Sequence, residues 1–133
     1  MNRSVCVAIP EGAYRDRVIY QLEHLGAKIT AIHRGIDLLN RIRFGAFHHL
    51  FIKTDLPDYD ALELVLYVRD VDKNIPITVI GDRGDSLRHK ILMAGATHWI
   101  EAQAIDAFMH RYYDSGSQVC FKQEQDILQR RKK

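Results

Sequence analysis

"FIKTDLPDYDALELV", residues 51–65, is the stretch that decides the fold. An apolar run ends at Lys53, a turn containing Asp and Pro follows, and a helical pattern begins after Asp60. The Asp60 side chain is expected to accept backbone N–H groups of the first helical turn, and Glu63 completes a capping box. The stretch therefore predicts a buried strand, a loop that carries acids, and a helix.

The same order of strand and helix repeats along the chain. Apolar runs predict strands at 4–9, 28–33, 49–53, 76–80 and 97–100, and helical spacing predicts helices at 13–25, 36–44, after Asp60, at 86–94 and at 105–113. Strands that are apolar on both faces and alternate with helices require a parallel sheet covered on both sides. Right-handed crossovers then give an α/β fold, a doubly wound five-stranded parallel sheet in a three-layer sandwich. The working surface of such a fold lies at the C-terminal ends of its strands.

Length and charge indicate one domain with a polar end. The chain has 133 residues, which suits a single domain at 1–114 followed by a polar tail or linker at 115–133. Five basic and two acidic residues lie between Lys122 and Lys133, so this end carries +3 and the rest carries −1. A nearly neutral body is not typical of a nucleic-acid surface, so nucleic acid is not an expected partner of this domain.

Several classes of site are not indicated by the sequence. No apolar run approaches the roughly 20 residues that cross a bilayer. The seven histidines show no ligand spacing, and no glycine-rich nucleotide motif is present, so neither a metal nor a cofactor is expected. Cys6 lies in an apolar run far from Cys120, which favours a reducing, cytoplasmic setting.

Three segments carry a resemblance to a known family. "LPDYDALEL" (56–64), "IPITVIG" (75–81) and "MAGATHWI" (93–100) resemble, in this order, three segments of the receiver domain of bacterial two-component response regulators. The resemblance covers roughly residues 4–113 and implies the flavodoxin-like, CheY-like fold with five βα units.

The resemblance also assigns the positions on which the family's chemistry depends. The phosphoacceptor aspartate of the family corresponds to Lys53, and the two acids that hold Mg²⁺ correspond to Ile9 and Pro10. The hydroxyl that ends the fourth strand corresponds to Gly81, and the lysine after the fifth strand to Ala102. The aromatic switch position alone has a counterpart, which is Trp99.

These replacements predict a degenerate receiver domain without catalytic residues. Phosphoryl transfer to such a domain needs a carboxylate nucleophile and a divalent cation on hard oxygen ligands, and Lys53 would repel the cation. A half-buried ammonium needs a partner, and we expect it to be Glu11 or Asp82, with Glu101 as a further candidate. Two alternatives remain open: an active receiver phosphorylated at the shifted Asp55, and a flavodoxin-like domain that binds an anion or small ligand at Lys53.

The resemblance implies a partner face and a place in a longer regulator. Receiver domains commonly pair through the fourth helix, fifth strand and fifth helix, which correspond to residues 86–113. We therefore expect a protein partner or a homodimer at this face, with five candidate contact residues: Arg88, Trp99, Met109, Arg111 and Tyr112. The expected role is a phosphorylation-independent interaction module in signal transduction or transcriptional regulation, joined to a C-terminal output domain and without a membrane partner.

Overall fold

The computed structural model describes residues 3–45, 47–82 and 86–113. The strands are β1 (Arg3–Ala8), β2 (Ala27–Ile32), β3 (His49–Lys53), β4 (Ile77–Gly81) and β5 (His98–Glu101). The helices are α1 (Ala13–His24), α2 (Gly35–Ile42), α3 (Ala61–Val71), α4 (Leu87–Ala94) and α5 (Ile105–Tyr113), with a short 3-10 turn at Ala102–Ala104.

The five strands form one parallel sheet in the order β2-β1-β3-β4-β5. The strand order reverses at β1 and β3, so the crevice outside the carboxyl ends of these two strands is the topological switch point. The doubly wound five-stranded α/β fold predicted from the sequence is confirmed.

The local signals around residues 51–65 act largely as predicted. β3 and α5 have the predicted bounds, and the other strands shift by one residue. Asp60 Oδ1 accepts a hydrogen bond from the Glu63 backbone N–H at 2.8 Å, which confirms the N-cap of α3. Ser86 precedes α4, and its side chain makes no capping hydrogen bond to that helix.

The core has two parts, one on each face of the sheet. One part joins alternate strand residues to α2, α3 and α4, and the other joins the intervening residues to α1 and α5. Cys6 is fully buried in the first part, and burial raises the pKa of its thiol to about 12. A thiol with so high a pKa is an inert packing group.

A buried chain of polar groups ties the end of α5 to the sheet. His49 Nε2 is 2.7 Å from Thr78 Oγ1, and His49 Nδ1 is 2.5 Å from the Tyr113 hydroxyl. All three residues are buried, and burial, with a smaller contribution from His98, lowers the pKa of His49 to about 3. The imidazole is therefore neutral at physiological pH and serves as a fixed hydrogen-bonding bridge between β3, β4 and α5.

The predicted domain boundary at 114 and the tail at 115–133 lie outside the described residues. Among the helices that the structure describes, none combines the length and the apolar character that crossing a membrane requires.

Candidate functional site

The site lies where β1, β3, β4 and β5 end, at the carboxyl edge of the sheet. β1 runs into Ile9, whose backbone N–H donates to the Ile32 carbonyl at 3.2 Å and whose side chain is buried in the core. Pro10 follows and is partly exposed. Neither side chain has an oxygen, so these two residues offer no side-chain ligand to a divalent cation.

Lys53 ends β3 and reaches into this edge. Its side chain is 15% exposed, its Nζ donates to Asp55 Oδ1 at 3.2 Å, and the same Nζ lies 5.6 Å from the centre of the Tyr14 ring. The ammonium is thus held between a carboxylate and an aromatic face, which attract it by charge and by a cation–π interaction.

The partner of Lys53 differs from the expected one. We expected Glu11 or Asp82, and both side chains are exposed, while the ion pair is made by Asp55 only two residues along the chain. The third candidate, Glu101, accepts a hydrogen bond from Gln103 at 3.1 Å. The loop after β3 folds back so that Asp55 meets the ammonium, and this path cannot be deduced from strand-end positions alone.

Tyr14 is a site residue that the sequence analysis missed. Its hydroxyl donates to the Ala102 carbonyl at 2.8 Å, so α1 is fastened to the residue that follows β5. Burial, with opposing contributions from Arg17 and Asp106, raises the pKa of Tyr14 to about 12. The phenol stays protonated, and its ring lies beside Lys53. Its position at the start of α1 was the available signal, since that helix begins beside the end of β1.

The acids of the loop after β3 serve local structure. Asp58 accepts hydrogen bonds from the backbone N–H groups of Gly35 at 2.6 Å and Ile36 at 3.0 Å, which are the first amides of α2. Desolvation would raise the pKa of Asp58, but these two amides hold it below its usual range. With Asp60 capping α3, the loop uses one carboxylate at the start of each helix.

Trp99 fills the space at the end of β4. It pairs with Val79, two residues before Gly81, and side chains at alternate positions of a strand share one face. A β-carbon built on Gly81 would overlap Cη2 and Cζ2 of the Trp99 indole. The ring therefore occupies the place that a serine or threonine at position 81 would need, and the glycine is what allows the ring to lie there.

The donor set of this edge does not fit Mg²⁺. The two positions that the resemblance assigns to the cation are an isoleucine and a proline, and the ammonium of Lys53 at the end of β3 pairs with Asp55. In the described ranges 3–45, 47–82 and 86–113, no group of three or more His, Cys, Asp or Glu residues is placed to hold a metal ion.

Only some of the residues of the predicted partner face are exposed. Arg88 and Arg111 are exposed, and Tyr112 is partly buried, with its ring stacked on Phe108 at a centroid distance of 5.1 Å. Met109 is 4% exposed and lies in the core with α1, so its prediction as a contact residue is wrong. The spacing of the buried residues of α5 carried this signal: Ile105, Phe108, Met109 and Tyr113 form one helical stripe.

No protein-family model matches the sequence, and no curated protein matches it. Solved structures match it by fold. The receiver domain of response regulator 1452 of Francisella has a TM-score of 0.77 at 18% identity, with 92% of this chain and 99% of that chain covered.

Two further solved structures place the same fold in different settings. The receiver domain of sensor histidine kinase PA1611 of Pseudomonas aeruginosa PAO1, solved with a magnesium ion in its active-site cleft, has a TM-score of 0.72 at 15% identity and covers 86% of this chain and 100% of that chain. NtrX of Brucella abortus has a TM-score of 0.76 at 20% identity, covering 99% of this chain and 31% of that chain. The chain therefore has the receiver, or CheY-like, fold.

Proposed function

We propose that this chain is a degenerate receiver domain that signals by binding protein partners without being phosphorylated. The observation that carries the proposal is Lys53, which ends β3 where a receiver has its acceptor carboxylate and is held there by Asp55 and the Tyr14 ring. A carboxylate takes up a phosphoryl group and becomes an acyl phosphate, which an ammonium cannot do. The ammonium also repels the divalent cation that the reaction needs. The domain would accordingly not be an enzyme.

The state of the switch residues supports the same proposal. In an active receiver, the phosphoryl group attracts a hydroxyl at the end of the fourth strand, and the aromatic side chain then turns inward. Here Gly81 has no hydroxyl, and the Trp99 indole already lies over it. The coupling between phosphorylation and the outer face has no chemical group to act through, so the face would be held in one state.

The charges of the outer face support a protein partner rather than a homodimer there. The exposed side chains of α4 and α5 include Arg88, His89, Lys90 and Arg111, whereas Asp106 pairs with Arg17 of α1. Two copies facing each other through this surface would bring like charges together, which costs free energy. We propose that this face binds a partner protein with an acidic surface.

The setting of the domain belongs to the same proposal. Two of the neighbours described above are receiver domains of a response regulator and of a sensor histidine kinase, and in NtrX the matching fold occupies part of a longer chain. We propose a cytoplasmic role in bacterial two-component signal transduction or transcriptional regulation, in which the domain acts together with an output domain.

The two alternatives fit the geometry less well. Asp55 is 60% exposed and its carboxylate is bound to the Lys53 ammonium, so an incoming phosphodonor would have to displace that ion pair without the help of a bound cation. An anion at Lys53 would compete with Asp55 for the same ammonium. Neither alternative is favoured by a specific contact.

Intact-mass measurement tests the proposal. The full chain is incubated with acetyl phosphate and Mg²⁺, with the Asp55→Asn variant as a matched control. We expect the mass of both proteins to stay unchanged. Addition of one phosphoryl group to the wild type would overturn the proposal, and its loss in Asp55→Asn would then establish the shifted phosphorylation site.

A further inference from the structure

An apolar groove lies between α2 and α3. We call it the α2–α3 groove and define it by Ile36, Arg43, Tyr59, Tyr67, Asp70 and Val71, which enclose about 390 Å³. Residues 36, 39, 40 and 43 form one stripe of α2, and residues 67, 70 and 71 form one stripe of α3. The groove is thus bounded by one face of each helix.

Exposed apolar side chains are concentrated at this groove. The part of the chain that the structure describes has seven large apolar side chains that are exposed, and three of them line the groove: Ile36 at 37%, Tyr67 at 45% and Val71 at 50%. Single exposed apolar residues are ordinary, but a cluster rimmed by polar groups marks an interaction surface. On α4 and α5, by contrast, Met93 alone belongs to this set of exposed residues.

The charges of the groove are self-complementary. Arg43 follows the last residue of α2, and Asp70 is the residue before the last of α3. Both helices follow parallel strands, so they run in the same direction and these two charges lie at the same end of the groove. Neither side chain takes part in an ion pair within residues 3–45, 47–82 and 86–113.

Two copies of the chain related by a two-fold axis that is parallel to the helices and passes along the groove would pair both charges. This axis places α2 of one copy against α3 of the other at equal height, so each Arg43 faces Asp70 of the second copy. The same operation covers the exposed apolar residues of both copies. An interface of this kind is isologous, because the same patch serves both subunits.

We propose that the α2–α3 groove is the surface through which two copies of this chain associate, with two reciprocal Arg43–Asp70 ion pairs. The helices have 8 and 11 residues, so at a rise of about 1.5 Å per residue they are about 12 and 17 Å long. Two helices of this length present a smaller area than the roughly 800 Å² per partner of a standard interface. We therefore expect a weak dimer, with a dissociation constant in the micromolar range or above. The basic face of α4 and α5 remains free for a different protein.

Charge reversal on one side of each pair gives a sharp test in sedimentation experiments on the full chain. Arg43→Asp places two aspartates opposite each other in a homodimer, and Asp70→Arg places two arginines opposite each other. Each variant alone should dimerise at least tenfold more weakly than the wild type. An equimolar mixture of the two should regain the dimer, because both contacts between the variants then join opposite charges.

The mixture separates this proposal from a contact within one copy. A pair formed inside a single chain would be lost in both variants and could not be restored by mixing them. Val71→Ala is a second variant that removes apolar contact without charge and should also weaken the dimer. Arg111→Asp, on exposed α5, is the matched control and should leave it unchanged.

The contrary results are equally definite. A wild type that stays monomeric through the millimolar range overturns the proposal, as does a mixture that stays monomeric while the wild type dimerises. Dimerisation that is lost in Arg111→Asp and kept in Arg43→Asp would move the interface to α4, β5 and α5. Thermal melting of every variant confirms that the fold is kept.

Discussion

The indole of Trp99 lies over Gly81 so closely that a β-carbon at position 81 would overlap it. Two features that look independent in the sequence, the glycine at position 81 and the tryptophan at position 99, are therefore sterically coupled. The loss of the side chain at the end of β4 makes room for the inward ring, and the ring closes the place where a hydroxyl would act. This coupling is the physical basis on which we propose that the outer face does not switch.

Gly81→Ser should destabilise the domain. The new side chain cannot coexist with the indole, and overpacking of this kind costs about 1–3 kcal/mol. Trp99 is the one tryptophan of the chain, so its fluorescence reports its own displacement. We expect a lower urea midpoint and an emission shifted to longer wavelength as the ring moves toward water.

The double variant Gly81→Ser/Trp99→Ala supplies the control. Removal of the ring leaves space for serine, so the two changes should cost less together than the sum of the single costs, by about 1 kcal/mol or more. Additive costs would show that the ring and position 81 do not interact.

Lys53→Met should change stability by less than about 1 kcal/mol. The ammonium is mostly covered, but its carboxylate partner Asp55 is 60% exposed, and pairs of this kind contribute little. Asp55→Ala should have a similarly small effect, since the Tyr14 ring still lies beside the ammonium. Urea unfolding of both variants checks this; a loss of several kcal/mol in Asp55→Ala would show that the pair is essential to the fold.

Stability should fall as the pH is lowered from about 6.5 toward 3, in part because of His49. Its folded pKa lies near 3 and its unfolded pKa near 6.5, so the unfolded chain binds more protons throughout this window. The contribution of His49 to the free energy of unfolding is complete above pH 6.5. It declines by at most about 1.4 kcal/mol per pH unit below that value. Urea unfolding at several pH values measures the slope.

His49→Gln is the matched variant for that slope. It keeps a polar side chain between Thr78 and Tyr113 but has no group that titrates in this range. We expect lower stability at neutral pH and a shallower decline on acidification. An unchanged slope would assign the pH dependence to other groups.

Arg69→Ala should cost about 1–3 kcal/mol. The guanidinium donates to the Gly95 carbonyl at 2.9 Å and the Asp72 carbonyl at 3.1 Å, so it binds the C-terminal ends of α4 and α3 together. Burial lowers the pKa of Arg69, with an opposing contribution from Asp72. Arg88→Ala, at an exposed position of α4, is the control and should change the free energy of unfolding by no more than about 0.5 kcal/mol.

The sequence was sufficient for the features that depend on short-range patterns. The bounds of β3 and the Asp60 cap of α3 follow from apolar periodicity and from a cap spacing of three residues. The capping of α2 by Asp58 could not be found in this way, because the acid lies 22 and 23 residues from the amides it binds.

The site shows the same division. The motif order predicts that Lys53 lies at the acceptor position, whereas its contacts with Asp55 and Tyr14 depend on the path of a loop and on a helix from another part of the chain. The overlap of Trp99 with position 81 depends on the register of β4 and β5, which the sequence does not specify.

Fluorescence of Trp99 during titration with Mg²⁺ and beryllofluoride tests the central claim most directly. Beryllofluoride mimics the phosphoryl group of an activated receiver, and the single tryptophan lies at the switch position. We predict that neither the intensity nor the emission maximum changes, because Lys53 lies where the acceptor carboxylate is expected, the side chains of Ile9 and Pro10 have no oxygen, and position 81 has no hydroxyl. A saturable change that requires both Mg²⁺ and beryllofluoride would contradict the account.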